Sequence, residues 1–355
     1  MPVRFALIGC GKITERLALP QLAGCRDARV TALVDTRRTA ATRVARLFGL
    51  QRCPIWTDWK RMLREADIDA VAVNLPNILH AEVTIAALKA KKHVMVEKPM
   101  ALTLAEADAM LEAARTYGRS LMVEHAQRFQ PAHQVAYRLL RRQGVVGRIH
   151  RLRGCMGHAG PEYWAGTRRT WLTDQRRAGG GVLTDVGVHL VDLLQWLSGK
   201  RVRRVLCQVK TLEKRVRVED NASVLLECTD GTMGSFDVSW TTRPYEVTTH
   251  FFGDRGQVET SLSASRQVSV RLAQRRGDPN HPLVAPRHPL VPRARRGGGA
   301  YPGFVRAILR GQAPPVSGEE GRDALEVVLG AYESARLGEW VELGSSRPRR
   351  QGRPA

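Results

Sequence analysis

Val3-Arg4-Phe5-Ala6-Leu7-Ile8-Gly9-Cys10-Gly11-Lys12-Ile13-Thr14 joins an apolar run directly to a glycine turn. A short branched run stopped by glycine predicts a buried strand over 3–8. A helix-like stretch follows, then a second apolar run, Val30 to Val34, closed by Asp35. Strand, glycine turn, helix, strand and acid in that order are the context a dinucleotide-binding fingerprint requires. Gly9 and Gly11 let the backbone approach a pyrophosphate, and Lys12 and Ile13 open a helix whose free N–H groups and dipole favour that anion. Thr14 stands where a third Gly or Ala is usual, so looser packing of helix on strand is expected there. Asp35 is placed to hydrogen-bond the adenosine ribose and repel a 2′-phosphate, which favours NAD. Arg37 and Arg38 leave NADP open, because either could reach such a phosphate or simply be solvated at the start of the next helix.

Two further strands end in polar residues. Asp69 to Val73 runs into Asn74-Leu75-Pro76-Asn77-Ile78-Leu79-His80. In open parallel sheets ligands bind at the carboxyl ends of strands, so Leu75, Pro76, Asn77 and His80 are expected to meet the nicotinamide half of the cofactor. Lys92-His93-Val94-Met95-Val96-Glu97-Lys98-Pro99 puts a charged pair at the same end of another strand. Glu97 could take a ribose hydroxyl and Lys98 polarise a substrate oxygen; a strand capped by solvated charges reads equally from the pattern. Thr103-Leu104-Ala105-Glu106 predicts a capping box for a helix that Gly118 ends, and Leu121 to Val123 the last strand of a first domain over 1–123.

Gly179-Gly180-Gly181-Val182-Leu183-Thr184-Asp185-Val186-Gly187-Val188-His189 carries a carboxylate and an imidazole four residues apart. On a helix that spacing stacks both on one face. The pair reads either as a proton-transfer device, with the carboxylate orienting the ring, or as a polar stripe that happens to hold Asp and His. Asp192, three residues on, is either support for His189 or a structural hydrogen-bond acceptor.

Taken together these pieces resemble the Gfo/Idh/MocA oxidoreductases, the relatives of glucose–fructose oxidoreductase and inositol dehydrogenase. The matching residues are Gly9 to Thr14, Asp35, Pro76-Asn77 with His80, Glu97-Lys98-Pro99, Arg128-Phe129, Gly179 to His189, Asp192 and Trp196. They run in order from about residue 3 to about residue 343. The resemblance implies an α/β Rossmann domain followed by an α+β domain with a large, mostly antiparallel open sheet. It also implies NAD(P)-linked oxidation or reduction of a secondary alcohol carbon on a sugar, sugar derivative or cyclitol. By that analogy Lys98, Asp185 and His189 line the reaction centre and Glu97 lies near the nicotinamide ribose. Leu75 departs from the small hydroxyl residue common before that proline, and Glu124 stands where glycine is frequent.

These residues suit the chemistry without the family name. Oxidising a secondary alcohol removes a hydroxyl proton while a hydride leaves the same carbon. His189 would be the base in oxidation and the acid in reduction, and Lys98 would stabilise charge on the oxygen. Asp185 would fix the imidazole or bind a neighbouring hydroxyl. Upstream of the glycine turn, His158, Tyr163, Trp164, Arg168, Arg169 and Trp171 could shape a sugar pocket, as could Arg128, or could be loop packing. The alternative class is an NAD(H)-binding regulator or nucleic-acid-associated protein that keeps the fold without turnover.

Composition bounds the rest. At 355 residues the length suits two domains, the second over 124–343, with a polar, Arg-rich tail over 344–355 expected to be disordered. A net charge of +22 raises nucleic acid as a partner, but the arginines are dispersed, aromatics are few and no helix-turn-helix pattern is present. An anionic substrate, phosphorylated or nucleotide-linked, is the middle reading. No apolar run is long enough to span a bilayer, and the first strand starts too early to leave room for a signal peptide, so a cytoplasmic location is expected. Six scattered cysteines without a Cys-x-x-Cys predict neither a disulfide framework nor a metal site. A helix is expected over 127–142, beginning near Pro131, and another over 320–337. Asp230-Gly231 and Asp254-Arg255-Gly256 predict hairpins. A sheet with one face on helices leaves the other for subunit contact, hence a homo-oligomer, dimer or tetramer. Arg271 to Gly299, rich in Arg and Pro, reads as a surface loop or a flap near the substrate.

Overall fold

Strands covered on both faces can be apolar over most of their length, as the first five long runs of this chain are apart from Arg4, Arg29, Thr31 and residues at strand ends. The computed structural model, which describes residues 1–165, 170–273, 286–293 and 298–344, pairs them into one parallel sheet. Its strands are β1 (Val3–Ile8), β2 (Ala28–Val34), β3 (Ile55–Trp56), β4 (Ala70–Val73), β5 (His93–Glu97) and β6 (Leu121–Glu124), in the order β3-β2-β1-β4-β5-β6. The order reverses between β1 and β4, and a ligand crevice opens at such a switch point. The crossovers carry α1 (Leu19–Ala23), α2 (Arg38–Leu47), α3 (Trp59–Glu65), α4 (His80–Lys89) and α5 (Leu104–Thr116). The capping box forms as expected: Thr103 Oγ1 accepts from the Glu106 N–H, and the Glu106 carboxylate accepts from the Thr103 N–H.

The loosening expected at Thr14 does not occur. Its side chain is fully buried and opens a π-helical turn, Thr14–Ala18. The hydroxyl donates to the Gly9 carbonyl at 2.5 Å and accepts from Asn74 Nδ2 at 2.8 Å. Glycine or alanine could make neither bond, so threonine here ties the glycine turn to the end of β4.

The second sheet contains β7 (Ile149–Gly157), β8 (Val202–Lys210), β9 (Asn221–Cys228), β10 (Met233–Ser239), β11 (Glu246–Gly253), β12 (Gly256–Ser261), β13 (Val268–Leu272) and β14 (Val341–Glu342). Their order is β13-β12-β11-β7-β10-β9-β8-β14, antiparallel except between β7 and β10. Burial alternates along these strands: Ala222, Val224 and Leu226 of β9 face inward while Ser223 and Leu225 face out. Both predicted hairpins are present, β9–β10 around Gly231 and β11–β12 around Asp254-Arg255. The inner face packs on α6 (Pro131–Tyr137), α9 (Val188–Ser198) and α11 (Gly318–Leu337), while α7 (Pro161–Ala165) and α8 (Gln175–Ala178) belong to the connection between β7 and α9.

The helix expected over 127–142 is three pieces: a 3-10 turn (Ala126–Phe129), α6 starting at Pro131, and a π-helical turn (Arg138–Arg142). α11 begins two residues earlier than expected, capped by Ser317 with Glu320. After the second sheet the chain returns to the first domain. Tyr301, Phe304 and Val305 of α10 (Ala300–Arg310), with Val316 and Leu325, are buried in the core of the parallel sheet. The Val123 N–H donates to the Val316 carbonyl at 3.4 Å. Much of the Arg- and Pro-rich segment expected as loop or flap, and the tail beyond Gly344, lie outside the described residues.

Arg128 corrects an expectation. Rather than facing substrate, its guanidinium is buried and donates twice to Asp192, at 2.8 and 2.5 Å, and once to Glu320 at 2.6 Å. Asp192 is thereby the structural acceptor, joining the crossing segment, α9 and α11. Removing one member of a buried pair strands the other charge. Asp192→Ala is therefore expected to cost about 3–5 kcal/mol in urea unfolding. The apolar double variant Arg128→Met/Asp192→Leu should lose less than that single change.

Candidate active site

The carboxyl ends of β1, β2, β4 and β5 and the segment from Thr170 to Asp185 enclose one cleft of about 720 Å³. At its centre lies the glycine turn, with Gly9, Gly11, Lys12 and Ile13 on the wall. The two glycines are needed for different reasons. Gly9 has φ +95°, and a Cβ there would sit 2.1 Å from the Asn74 carbonyl oxygen. Gly11 has an ordinary backbone, and a Cβ there would meet nothing within 4 Å. It would project into open cleft, into the space a pyrophosphate needs if it is to reach the backbone. The glycine cradle thus fits a dinucleotide.

Asp35 forms one end of the cleft. Its carboxylate accepts from the Cys10 N–H at 3.0 Å and the Arg37 N–H at 2.9 Å, which fixes it beside the turn. The Arg37 side chain is 79% exposed with its Nε 4.0 Å from Asp35, and Arg38 leans toward the Ile55 carbonyl at 3.5 Å. Neither displaces Asp35 from the ribose position, in keeping with NAD.

Leu75, Pro76 and Asn77 line the cleft past the turn. Asn77 also bridges the domains, since its Nδ2 donates to the Ala178 carbonyl at 2.8 Å. His80 is corrected. It is fully buried, with Nδ1 2.8 Å from the Pro99 carbonyl and Nε2 2.8 Å from the Leu75 carbonyl. It braces the two loops that shape the cleft and does not line it.

The reacting end gathers residues distant in sequence. Lys98 Nζ donates to Asp185 Oδ1 at 2.7 Å and to the Asp185 carbonyl at 2.8 Å. Trp240 Nε1 donates to Asp185 Oδ2 at 3.2 Å. His158 Nδ1 accepts from the Gly160 N–H at 3.0 Å, which leaves the ring proton on Nε2, and that atom lies 3.7 Å from Asp185 Oδ2. Burial pushes the Asp185 carboxyl up, but Lys98 and His158 outweigh it and hold the group well below the usual carboxylate range.

Asp185 therefore does not orient His189 as the four-residue spacing suggested, because the ammonium and the indole take its oxygens. His189 stands on the first turn of α9, with Nδ1 buried and unpartnered and its ring edge-on to His125 at 5.8 Å. Burial, then the Lys98 charge, drive its pKa well below the ordinary imidazole value. It is a neutral imidazole at neutral pH and can take a proton. Glu97 lines the same end, and burial lifts its carboxyl to about 7.

Of the residues expected to shape a sugar pocket, Trp171 lines the cleft, accompanied by Arg177. Tyr163 is 65% exposed, with Lys214 and Arg243 over its ring, and takes no part in the cleft wall. The Trp164 side chain and all of Arg168 and Arg169 lie outside the described residues. Sequence reasoning missed Trp240, Arg177 and the buried His125. Trp240 directly follows β10 and gave no clear signal in the sequence.

Comparison with known proteins agrees with this geometry. Residues 3–125 match the GFO/IDH/MocA oxidoreductase family, NAD-binding Rossmann fold, and residues 134–259 match the GFO/IDH/MocA C-terminal domain. The chain is 26% identical to a myo-inositol 2-dehydrogenase of Thermotoga maritima, over 96% of this chain and 98% of that protein. It superposes on the aldose-aldose oxidoreductase of Caulobacter crescentus, crystallised with glycerol, with a TM-score of 0.82 and 28% identity, covering 97% of this chain and 100% of that one. The dehydrogenase WlbA of Bordetella pertussis, in complex with NADH and UDP-GlcNAcA, gives 0.81 at 26% identity over 97% and 99%.

The two glycines predict opposite failures. Gly11→Val should fold with an unchanged melting temperature and lose NADH binding by fluorescence titration. Gly9→Ala should lower the melting temperature itself, because both the carbonyl clash and the positive φ must be relieved.

Proposed function

Because the chain belongs to the GFO/IDH/MocA oxidoreductase family, we propose that it transfers a hydride between NAD and a secondary alcohol carbon of a sugar, sugar derivative or cyclitol. The observation that carries this reading is the Lys98–Asp185 pair on the cleft wall, with the neutral His189 behind it, off the wall but within electrostatic reach of both. NAD, when bound, supplies the hydride acceptor or donor, and every other task falls to the chain.

Lys98 is held by two bonds to Asp185, and its remaining N–H is available to the substrate oxygen, where it stabilises negative charge as the hydroxyl proton departs. His189 is held unprotonated by burial and by the Lys98 charge, so its ring can accept that proton in oxidation and return it in reduction. Asp185 positions the ammonium, and Trp240 and His158 hold Asp185. Trp171 offers a face to a sugar ring, and Arg177 offers charge to an anionic substituent. That charge supports a phosphorylated or nucleotide-linked substrate as one branch of the class.

The outer face of the eight-stranded sheet, where Leu225 and Met233 are 49% and 63% exposed, supports pairing of subunits through it. A monomer mass at micromolar concentration would exclude that. All six cysteines are free, which supports a reducing, cytoplasmic setting. No helix among the described residues is long and apolar enough to cross a membrane.

Absorbance of reduced nicotinamide, followed against neutral sugars and inositols and against sugar phosphates and nucleotide sugars, tests the reading. Turnover is expected in one panel and should fall by about 10²–10⁴-fold in His189→Ala with NADH affinity unchanged. No turnover in either panel or direction, with NADH binding intact, would favour a substrate outside both panels or a cofactor-binding regulator. The pH profile has a definite sign. A base whose pKa is lowered stays unprotonated below the usual imidazole range, so kcat/KM for the alcohol at saturating NAD should hold past pH 6.5 and fall only in more acid solution.

A further inference from the structure

Glu124 is the residue that the proposed chemistry leaves unused. It lies at the carboxyl end of β6, in register with Glu97 of β5 on the neighbouring parallel strand, so the two side chains share one side of the sheet. Both are buried, 6% exposed at Glu97 and 2% at Glu124. Glu124 Oε2 accepts from the Ala126 N–H at 3.2 Å, while Oε1 of each residue is buried without a partner. One hydrogen carried by either carboxyl and shared across the register pair would satisfy both orphaned oxygens.

The surrounding charges allow little else. Lys98 faces the pair from its own strand end but is committed to Asp185 on the π-helical turn (Leu183–Gly187). Asp192 of α9 adds negative charge, and Arg128 is spent on Asp192 and Glu320. Burial keeps His125 and His189 low, so neither adds a cation. Tyr301 of α10 faces both glutamates with a hydroxyl that donates to Asn74 at 3.3 Å. One ammonium against Asp185 and two glutamates cannot hold all three ionised. Burial, then the neighbouring Glu97, raise Glu124 well above the usual range, which makes it the proton-holding member.

We propose that Glu97 and Glu124 act as one carboxyl pair that senses the charge of the bound cofactor, with Glu124 as a positioning residue, so that oxidised NAD expels a proton from the pair and reduced NAD does not. The inference rests on the proposed NAD site. With Asp35 at the adenosine ribose and the glycine turn at the pyrophosphate, the nicotinamide falls at the Glu97 end. That ring is cationic when oxidised and neutral when reduced. An additional negative charge on the pair beneath it favours the oxidised form, and by linkage binding of that form releases a proton. Affinity for NAD⁺ then rises with pH until the free pair gives up the hydrogen held on Glu124, which burial and the neighbouring Glu97 place well above the usual carboxylate range, and is flat beyond that.

Isothermal titration of NAD⁺ and NADH into the full chain from pH 5.5 to 8.5, in two buffers of different ionisation enthalpy, reads both quantities. The NAD⁺ Kd should tighten by about tenfold across the range with fractional proton release, and the NADH Kd should vary by no more than about twofold. In Glu124→Gln the amide cannot ionise, so above pH 7, where Glu97 has already lost its own proton, the NAD⁺ slope and the proton release should both disappear. NADH binding in that variant reports that it is folded. Equal pH dependence for the two cofactor forms, or a wild-type slope in Glu124→Gln, overturns the inference while leaving the NAD site standing. Absence of NAD⁺ and NADH binding in the wild type overturns both.

Discussion

The ion pair between Lys98 and Asp185 is the constraint on which the rest depends. One partner ends a strand of the parallel sheet and the other sits on the turn that leads into α9, 87 residues away. Both side chains are largely out of water, at 14% and 8% exposure, so each must have its hydrogen bonds satisfied or the burial costs more than the attraction returns. The Asp185 carbonyl and the Trp240 indole supply those bonds, and the His158 imidazole stands 3.7 Å from the carboxylate. The pair can therefore form only when both sheets are in place. Its position, with the Asn77 bond to Ala178, sets how the second domain leans over the cofactor cleft.

A consequence is a division of electrostatic labour at one end of the cleft. The same ammonium that ionises Asp185 acts on Glu97 and Glu124 too weakly to offset their burial, and it helps keep His189 neutral. One cation thus leaves an ionised acid, an unprotonated base and a proton-bearing carboxyl pair within one small region. Environments that push neighbouring titratable groups apart are how a single site holds acid and base functions together at neutral pH.

How much of this was legible follows from which interactions are local. The parallel sheet could be read because its strands are apolar on both faces and its glycine turn has a fixed spacing; only β3, two residues long, gave no signal. In the second domain the hairpin turns were legible from Asp-Gly and Asp-Arg-Gly, whereas the parallel pairing of β7 with β10 and the return of α10 to the first core link residues far apart. The site divides likewise. Lys98, Asp185 and Asp35 stood out by position, but spacing paired Asp185 with His189 four residues away, and the structure pairs it with Lys98. A buried arginine such as Arg128 looks, in sequence, like one that binds an anion, and His80 looks like a cofactor ligand. Burial decided both, and neither residue type nor spacing reports burial.

The re-entry of α10 and the start of α11 into the core of the parallel sheet bears on how the molecule is made. The glycine turn and its strands emerge from the ribosome before β7 to β13, yet Tyr301, Phe304, Val316 and Leu325, which close their core, are synthesised after them. The nascent N-terminal half must wait with apolar surface uncovered while the second sheet is translated, a long span for chaperones to guard. Once the last segment docks, the two halves are laced by one chain in both directions. Neither can open far without disturbing the other, so the domain that binds cofactor and the domain that covers the reacting carbon share a single cooperative fate.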